Sequence, residues 1–355
     1  MMRFPARLLV GTLLAAAPPL GVFAQPSGPV VLGVAAPLSG PSDILGRQAV
    51  AGATRAAGDA GATVVEADTG CTADGGRKAA DDFIAAKASV AVGFLCAVAL
   101  EAALPKLTEA GIPVIDVGVR AARILRQREK DGALVWRLAP GSTAEAEALA
   151  RTVRERWSTA PFALVDDGTP FSRDLADNVR RLLEESGLRP ALTETYRPAE
   201  EKQFPLARRI QQSGVTRVLF LGARSDVAII LRDAAELGLT IEAMGGESLL
   251  DAADAVPLAP GTTAVVSGFD VDWAPSETAP EDEGYARVAR TGAEIAIGAA
   301  RRATQEGRAL PDVLNAETFV TTSGLVRFQG DGTTDVVPFR AYRWDGARFV
   351  AEPEG

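Results

Sequence analysis

The chain has 355 residues, 47% of them apolar, which is enough to build a large core and excludes global disorder. Acidic residues (46) outnumber basic ones (37), and no run of basic residues occurs, so nucleic acid and anionic membrane surfaces are not expected partners. The sequence contains no histidine, which excludes Ser-His-Asp and Cys-His nucleophile pairs and histidine-ligated zinc. Two cysteines are too few for a thiolate zinc site, and paired acids such as Asp166-Asp167 are usually solvated, so no metal site is expected.

The first 24 residues have the pattern of a secretory signal peptide. Arg3 and Arg7 precede the apolar run Leu8–Ala17, and the small residue Ala24 stands before a predicted cleavage point at Gln25. The run is shorter than the about 20 residues that span a bilayer, which argues against the alternative of an uncleaved anchor. Removing residues 1–24, which hold two arginines and no acid, takes the net charge from −9 to −11. We therefore expect an exported, periplasmic protein.

Buried apolar strands alternate with helices in the first part of the mature chain. The predicted strands are Val30–Ala36, Ala62–Ala67, Ser89–Leu95 and Ile112–Val117. The predicted helices between them are Gly46–Ala60, Gly75–Lys87 and Ala97–Ala110. Gly111 is expected to end the last helix in the left-handed conformation. This alternation predicts a parallel sheet with helices on both faces.

The same alternation then starts again, which predicts a second α/β unit. Its predicted strands are Leu134–Leu138, Phe162–Val165, Ala191–Tyr196, Arg217–Leu221, Glu242–Met244 and Ala264–Phe269. Its predicted helices are Ala144–Trp157, which Thr143 is expected to cap, Ser172–Gly187, Gln203–Gly214 and Asp226–Gly238. A long helix, Glu283–Gln305, and two tail strands, Gly324–Phe328 and Val337–Trp344, follow, with a turn at Asp345-Gly346. The two units are expected to meet near Pro140 and again near Gly268.

Familiar catalytic and nucleotide-binding motifs are absent from the sequence. It holds no Walker A motif, no G-x-G-x-x-G and no G-x-S-x-G. A doubly wound unit without a phosphate loop is more typical of a binding lobe than of a nucleotide site, and no cofactor is expected. The alternation of strands and helices does not by itself give a function.

Cys71 and Cys96 follow the second and third predicted strands. Their strand ends lie at the same edge of a parallel sheet, where adjacent strands are about 5 Å apart, so a disulfide is geometrically feasible. Export would place the chain in a compartment where disulfides persist. The alternative is a pair of buried free thiols.

The chain resembles the type I periplasmic solute-binding proteins of branched-chain amino-acid ABC transporters, the leucine/isoleucine/valine-binding family. The resemblance extends over nearly the whole mature chain and rests on the order of several short motifs. These are Pro37-Leu38-Ser39-Gly40-Pro41, Asp68-Thr69-Gly70-Cys71, Gly93-Phe94-Leu95-Cys96, Gly111-Ile112-Pro113-Val114-Ile115, Leu231-Arg232-Asp233-Ala234 with Gly238-Leu239, Met244-Gly245-Gly246-Glu247 and Gly324-Leu325-Val326-Arg327-Phe328.

The resemblance implies an α/β fold of two doubly wound parallel-sheet lobes joined by a three-crossing hinge. The N-terminal lobe would hold residues 28–140 plus 269–323, and the C-terminal lobe residues 141–268 plus 324–355. A ligand would lie between the lobes, at the carboxyl ends of the strands.

The resemblance also implies a ligand site. In family members that bind amino acids, an acid after a Met-Gly-x motif holds the ammonium group, and here that residue is Glu247. Hydroxyl and backbone N–H groups at the start of the loops after two strands hold the carboxylate. Aromatic side chains cover the rest of the ligand. The expected ligand-binding positions are Leu45, Ala97, Val98, Gly118, Arg120, Phe171, Arg224 and Glu247.

This chain departs from the family pattern at several of these positions. Ala97 stands where a serine is usual, Arg120 where a threonine is usual, and Leu45 where an aromatic residue is usual, whereas Phe171 keeps the second aromatic position. Arg120 is expected to replace the lost hydroxyls with a bidentate grip on a carboxylate. Arg224 is a candidate for holding a second acidic group. Each charged residue also has a simpler interpretation as a solvated surface group.

We therefore expect a receptor that captures an amino acid or similar small ligand and delivers it to the permease subunits of an ABC importer. A ligand sensor for a membrane partner is the alternative on the same fold. A third, disfavoured hypothesis is a histidine-independent enzyme that uses Glu247 as a base. We therefore expect no enzymatic activity.

Overall fold

Five parallel strands form the first sheet of the computed structural model, which describes residues 29–251, 255–267, 284–334 and 339–352. The strand order is β2-β1-β3-β4-β5. The strands are β1 (Val31–Ala36), β2 (Thr63–Asp68), β3 (Val90–Gly93), β4 (Val114–Asp116) and β5 (Val135–Arg137). The helices that connect them are α1 (Asp43–Ala60), α2 (Ala73–Ala85), α3 (Ala97–Glu109) and α4 (Ala122–Asp131). Apolar clusters cover both faces of the sheet, so this unit is doubly wound.

The second sheet has seven strands in the order β14-β13-β10-β9-β8-β6-β7. Five of them are parallel: β6 (Phe162–Asp166), β7 (Leu192–Thr195), β8 (Arg217–Leu221), β9 (Glu242–Gly245) and β10 (Thr263–Ser267). Strands β13 (Phe339–Trp344) and β14 (Phe349–Ala351) add an antiparallel edge. Four helices pack on this sheet: α5 (Ala144–Trp157), α6 (Pro170–Glu185), α7 (Phe204–Ser213) and α8 (Arg224–Glu236). A short 3-10 helix, Glu247–Leu250, follows β9 directly.

Helix α9 (Tyr285–Glu306) returns the chain to the first sheet and packs against α1. The two helices approach closely at Gly52, where a Cβ atom would lie only 1.9 Å from the carbonyl oxygen of Ala286. Helix α10 (Leu310–Ala316) and the hairpin of β11 (Thr318–Thr321) and β12 (Gly324–Arg327) follow. Val326 and Phe328 are buried in the core of the first sheet, whereas Tyr342 on β13 lies in the core of the second.

A disulfide joins Cys71 to Cys96, as the sequence predicted, with the two Cα atoms 5.3 Å apart. One premise of that prediction was wrong, because β2 and β3 are not adjacent: β1 lies between them. The bridge therefore passes beyond the end of β1. Cys71 (φ 53°) and Phe94 (φ 59°) both have left-handed backbone conformations, which turn the chain after each strand.

The predicted strands and helices are present in the described residues, and their ends differ by a few residues at most. One assignment was wrong: the strand predicted at 134–138 as the first of the second unit is β5, which pairs with β4 in the first sheet. The predicted elements did not include α4, α10, β11 and β14. Thr143 occupies the N-cap position of α5 but does not cap it, because its hydroxyl donates to Glu147 Oε1 at 2.7 Å. The predicted signal peptide and the predicted passage around Gly268 lie outside the described residues. Among the described helices, none is long and apolar enough to cross a membrane.

Candidate ligand-binding cleft

An ion pair between Arg120 and Glu247 connects the two α/β units. Arg120 lies in the loop after β4 of the first sheet, and Glu247 follows β9 of the second, 127 residues further along the chain. Arg120 Nη1 donates to Glu247 Oε2 at 2.5 Å, and Nη2 donates to Oε1 at 3.0 Å. This is the bidentate geometry that guanidinium and carboxylate groups favour. The side chains are only 37% and 20% exposed, so water screens the pair incompletely.

The loop that carries Arg120 is shaped by Asp116, at the end of β4. Asp116 Oδ1 accepts hydrogen bonds from the backbone N–H groups of Gly118 (3.1 Å) and Val119 (2.7 Å). Arg137 on β5 is opposite Asp116 in the strand register. Its Nη1 donates to the carbonyl oxygen of Arg120 at 3.3 Å. Burial raises the pKa of Asp116 to about 8, against the opposing effects of the two N–H groups and of Arg137.

Glu145, in the first turn of α5, contacts the backbone of Glu247. Its Oε1 accepts the backbone N–H of Glu247 at 2.8 Å. It fits there because residue 246 is glycine: a Cβ atom at that position would lie 2.0 Å from Glu145 Oε1. Glu145 is only 6% exposed, and burial together with the charge of Glu247 raises its pKa to about 7. The N–H of Glu247 and the charge of Arg120 oppose that rise.

Sequence reasoning missed Glu145. An acidic residue in the first turn of a helix is normally explained by the helix dipole, and this glutamate has that position. Its contact with residue 247 depends on how two distant segments meet, and no local pattern encodes that contact. The signal that was available is the glycine before Glu247, which leaves room for a neighbouring side chain.

The guanidinium of Arg120 keeps its charge. Burial alone would lower its pKa, but the hydrogen bonds and charge of Glu247 outweigh this effect and raise it, with smaller contributions from Tyr285 and Glu145. The three groups at this point are thus one permanent cation and two carboxylates, of which Glu145 titrates near neutral pH. Such a site can exchange its internal ion pair for charged groups of a ligand.

Leu45, Val98 and Phe171 all lie in the first turns of helices at the carboxyl ends of strands. Their exposed fractions are 41%, 45% and 69%, so their apolar side chains remain open to solvent or ligand. Ala97 begins α3, where the first backbone N–H groups have no partner within the helix. Gly118 was expected to offer its backbone N–H to a ligand, but that N–H already donates to Asp116 Oδ1.

Arg224 is engaged within the second unit. It is 8% exposed, and its guanidinium carbon lies 4.4 Å from the ring centre of Trp344 and 5.9 Å from that of Phe349. Its Nη1 also donates long hydrogen bonds to the carbonyl oxygens of Leu249 and Asp251. These contacts attach the β13–β14 hairpin to the start of α8, and they account for Arg224 without a ligand.

Two doubly wound units that meet at a charged pair beyond their strand ends are the architecture of a receptor that encloses a small ligand. Comparison with known families agrees, since the family model described as "Periplasmic binding protein" matches residues 29–301. The chain belongs to this family, and it is a solute-binding protein of the kind that serves ABC transporters.

Curated relatives are distant but match over much of the chain. The Leu/Ile/Val-binding protein homolog 2 of Brucella abortus (strain 2308) is 21% identical over 353 residues, covering 89% of this chain and 90% of the relative. The leucine-, isoleucine-, valine-, threonine-, and alanine-binding protein of Pseudomonas aeruginosa PAO1 is 22% identical over 270 residues, covering 71% and 70%.

Solved structures show the same fold. A candidate branched-chain amino acid ABC transporter protein from Rhodospirillum rubrum superposes with a TM-score of 0.74 at 17% identity, covering 91% of this chain and all of that one. A solute-binding protein from Rhodopseudomonas palustris HaA2, in complex with p-hydroxybenzoic acid, gives a TM-score of 0.65 at 15% identity, covering 92% and 96%.

Proposed function

We propose that this solute-binding protein captures an amino acid or a close relative between two lobes, for delivery to the permease subunits of an ABC importer. The observation that carries the proposal is the bidentate pair between Arg120 and Glu247. An amino acid has one carboxylate for Arg120 and one ammonium for Glu247. The ligand would therefore replace one ion pair by two, and it would leave neither protein charge alone in a closed site.

The cost of an unpaired charge supports this ligand class. A charge left without a partner in a closed, water-poor cleft costs several kcal/mol. A plain carboxylate would take Arg120 and leave Glu247 unpaired, whereas a plain amine would do the reverse. A zwitterion satisfies both groups.

The lobes would be those the sequence resemblance implied, with one adjustment. The N-terminal lobe would extend from residue 28 to 140 and resume at residue 269. Because Val326 and Phe328 pack in the first core, we propose that the third crossing follows Phe328 and not residue 323. Residues 1–24 would be cleaved on export, and the intact mass of the exported protein would then correspond to a start at Gln25.

An aromatic acid is the second candidate ligand. Its basis is that several structural neighbours from Rhodopseudomonas palustris are complexes with benzoate or hydroxybenzoates. Arg120 would hold such a carboxylate, and exposed Phe171 offers a ring for stacking. A role as a ligand sensor would use the same closure with a different membrane partner.

Thermal-shift measurements with amino acids and aromatic acids test the proposal. At 100 times its dissociation constant a ligand stabilises the protein by about 2.7 kcal/mol, which raises the melting temperature by a few degrees. Glu247→Ala should abolish the shift given by an amino acid and leave that of a plain carboxylate nearly intact. Glu155→Ala, an exposed acid on α5, is the matched control. Stabilisation by aromatic acids alone would refute the amino-acid assignment.

A further inference from the structure

We infer that the ligand is a basic amino acid, or a close relative whose side chain ends in an amine or a guanidinium. The inference rests on the proposed function, because it specifies the side chain of the amino acid held by Arg120 and Glu247. Its basis is a surplus of carboxylates along the carboxyl-terminal edge of the second sheet. Glu145 supplies the surplus at one end of the site and Asp167 at the other.

Glu145 is the surplus charge beside the α-amino end. A zwitterion would occupy Arg120 with its carboxylate and Glu247 with its ammonium, and Glu145 would then have no cation. The charged groups that face Glu145 from other elements are Arg120 and Glu247, which already pair with each other. The α-ammonium group of the ligand would therefore lie near two carboxylates, and a ligand with a net positive charge offsets more of the negative charge of the site than a zwitterion does.

The strand register places Asp167 in the same row as Glu247. Asp166 on β6 pairs with Leu221 on β8, and Phe220 pairs with Gly245 on β9. Continuing this register beyond the strand ends aligns Asp167, Gly222 and Glu247. The backbone N–H of Asp167 donates to the Leu221 carbonyl oxygen at 3.2 Å, so the register of β6 and β8 continues to Asp167. The Ser248 hydroxyl donates to the carbonyl oxygen of Gly222 at 2.8 Å, which keeps the segment after β9 beside the end of β8.

The spacing along that row suits a long side chain. Neighbouring strands are about 4.8 Å apart, so positions two strands apart are separated by about 10 Å. An extended lysine or arginine, together with the reach of the two carboxylate side chains, covers this interval. Leucine or valine does not.

A buried hydroxyl without a partner marks the Asp167 end. Tyr196 is 5% exposed, and its hydroxyl has no hydrogen-bond partner among the described residues. It points at Gly222: a Cβ atom there would lie 2.0 Å from the hydroxyl oxygen and 3.2 Å from Asp167 Cβ. Burial and then the charges of Asp226, Asp167 and Asp166 raise the pKa of Tyr196, so the phenol stays protonated.

The acids around Tyr196 repel one another. Burial raises the pKa of Asp226, and the charge of Asp167 adds to that rise although the N–H of Ala199 opposes it. A cation beside Asp167 would relieve this repulsion and could donate to the phenol oxygen. The side chain of Arg173 already comes near Gly168, but it is exposed, and water screens its charge.

Phe171 gives the same end of the site a second means of holding a cation. Its ring is 69% exposed and lies four residues after Asp167, in the first turn of α6. A cation over an aromatic face is stabilised by about 0.5–2 kcal/mol in general. An amine or guanidinium could therefore contact both Asp167 and this ring.

Calorimetry on the mature protein with lysine, arginine, leucine and glutamate tests the inference. The wild type should bind lysine or arginine at least about tenfold more tightly than leucine, as one added charge-assisted contact implies. Asp167→Asn should remove most of that preference and change leucine affinity by less than about twofold. The control, Asp174→Asn, alters an exposed acid on α6, the helix that follows Asp167, and should change neither affinity.

The pH dependence gives a readout that does not depend on Asp167. A cationic ligand favours ionised Glu145, so lysine affinity should rise between pH 6 and pH 8, through the Glu145 pKa of about 7. Glu145→Gln keeps an acceptor for the Glu247 N–H but removes the charge, and should flatten this rise. A plain carboxylate would show the opposite slope in the wild type.

The outcomes separate this inference from the proposed function. If leucine binds more tightly than lysine and Glu247→Ala abolishes its binding, the function stands and the basic side chain is refuted. If Asp167→Asn and Asp174→Asn have equal effects, Asp167 does not contact the ligand and the inference is overturned. If no amino acid binds, the proposed function itself fails.

Discussion

At the scale of single residues, the sequence located both members of the central ion pair but not the contact between them. Arg120 and Glu247 follow strands at positions where family members hold ligands, so their neighbourhood could be predicted. Their pairing could not be predicted, because the two residues are 127 positions apart in the sequence and meet only through the tertiary packing of the two units. Glu145 was missed for the same reason, and the contact of Arg224 with the Trp344 ring was not predicted.

Gly246→Ala is expected to destabilise the protein by about 1–3 kcal/mol, the usual cost of overpacking. Residue 246 has φ −98°, which alanine tolerates, so the cost comes from the new methyl group and not from the backbone. That methyl group would displace Glu145 from the N–H of Glu247. Urea denaturation of the ligand-free protein measures the change in free energy of unfolding.

A double-mutant cycle checks this mechanism. In a Glu145→Ala background the clash is gone, so the cost of Gly246→Ala should shrink by more than about 0.5 kcal/mol. An equal cost in both backgrounds would show that Glu145 is not what the methyl group meets.

At the scale of helices and strands, elements with a buried apolar run or a strong apolar periodicity were predictable, and elements without either were not. Alanine-rich α1 and α9 have strong apolar periodicity, and their predicted bounds are close to those observed. Helix α10 has seven residues, which is too short to show helical periodicity, and β11 buries only Phe319, so it has no apolar run. The position of β1 between β2 and β3 was also hidden, because strand order depends on tertiary packing.

Two glycines of α1 offer a matched test of helix packing. At Gly52 a Cβ atom would lie 1.9 Å from the Ala286 carbonyl oxygen of α9, whereas at exposed Gly58 it would meet nothing within 4 Å. Gly58→Ala should therefore stabilise the protein by about 0.5–1 kcal/mol, from helix propensity alone. Gly52→Ala should instead destabilise it by about 1–3 kcal/mol, because α1 and α9 must move apart.

Gly52→Ala and Gly58→Ala are the same substitution on the same helix, so their effects on the unfolded state largely cancel when the two variants are compared. Thermal and urea denaturation of the two variants supply the measurement. Equal changes in stability would mean that α1 and α9 do not approach at Gly52.

At the scale of the whole molecule, two similar α/β units followed from the repeated pattern of strands and helices. What the pattern could not give is the relative position of the units. In the described residues, Arg120 of the first unit contacts Glu247 of the second. Runs of apolar residues in the sequence identify the core of each unit. A charged contact between the two units leaves no periodic pattern in the sequence.

Arg120→Ala should enlarge the ligand-free protein, because the pair between the units favours the closed arrangement. Small-angle X-ray scattering should give a larger radius of gyration for this variant than for the wild type, whose compact value is about 20 Å for a chain of this length. Arg123→Ala, which breaks a pair with Glu101 inside the first unit, is the control and should leave the radius unchanged. An unaltered radius for Arg120→Ala would mean that the pair does not hold the units together.

The pairing of Arg120 with Glu247 also bears on how efficiently a cell could use this receptor. A cleft that neutralises its own charges has little electrostatic reason to stay open when vacant, so a fraction of vacant molecules should adopt the shape that an importer recognises in loaded ones. Those molecules would occupy docking positions without bringing cargo. We therefore expect uptake to pass through a maximum, and then to decline, as receptor copies come to outnumber importers at low external ligand.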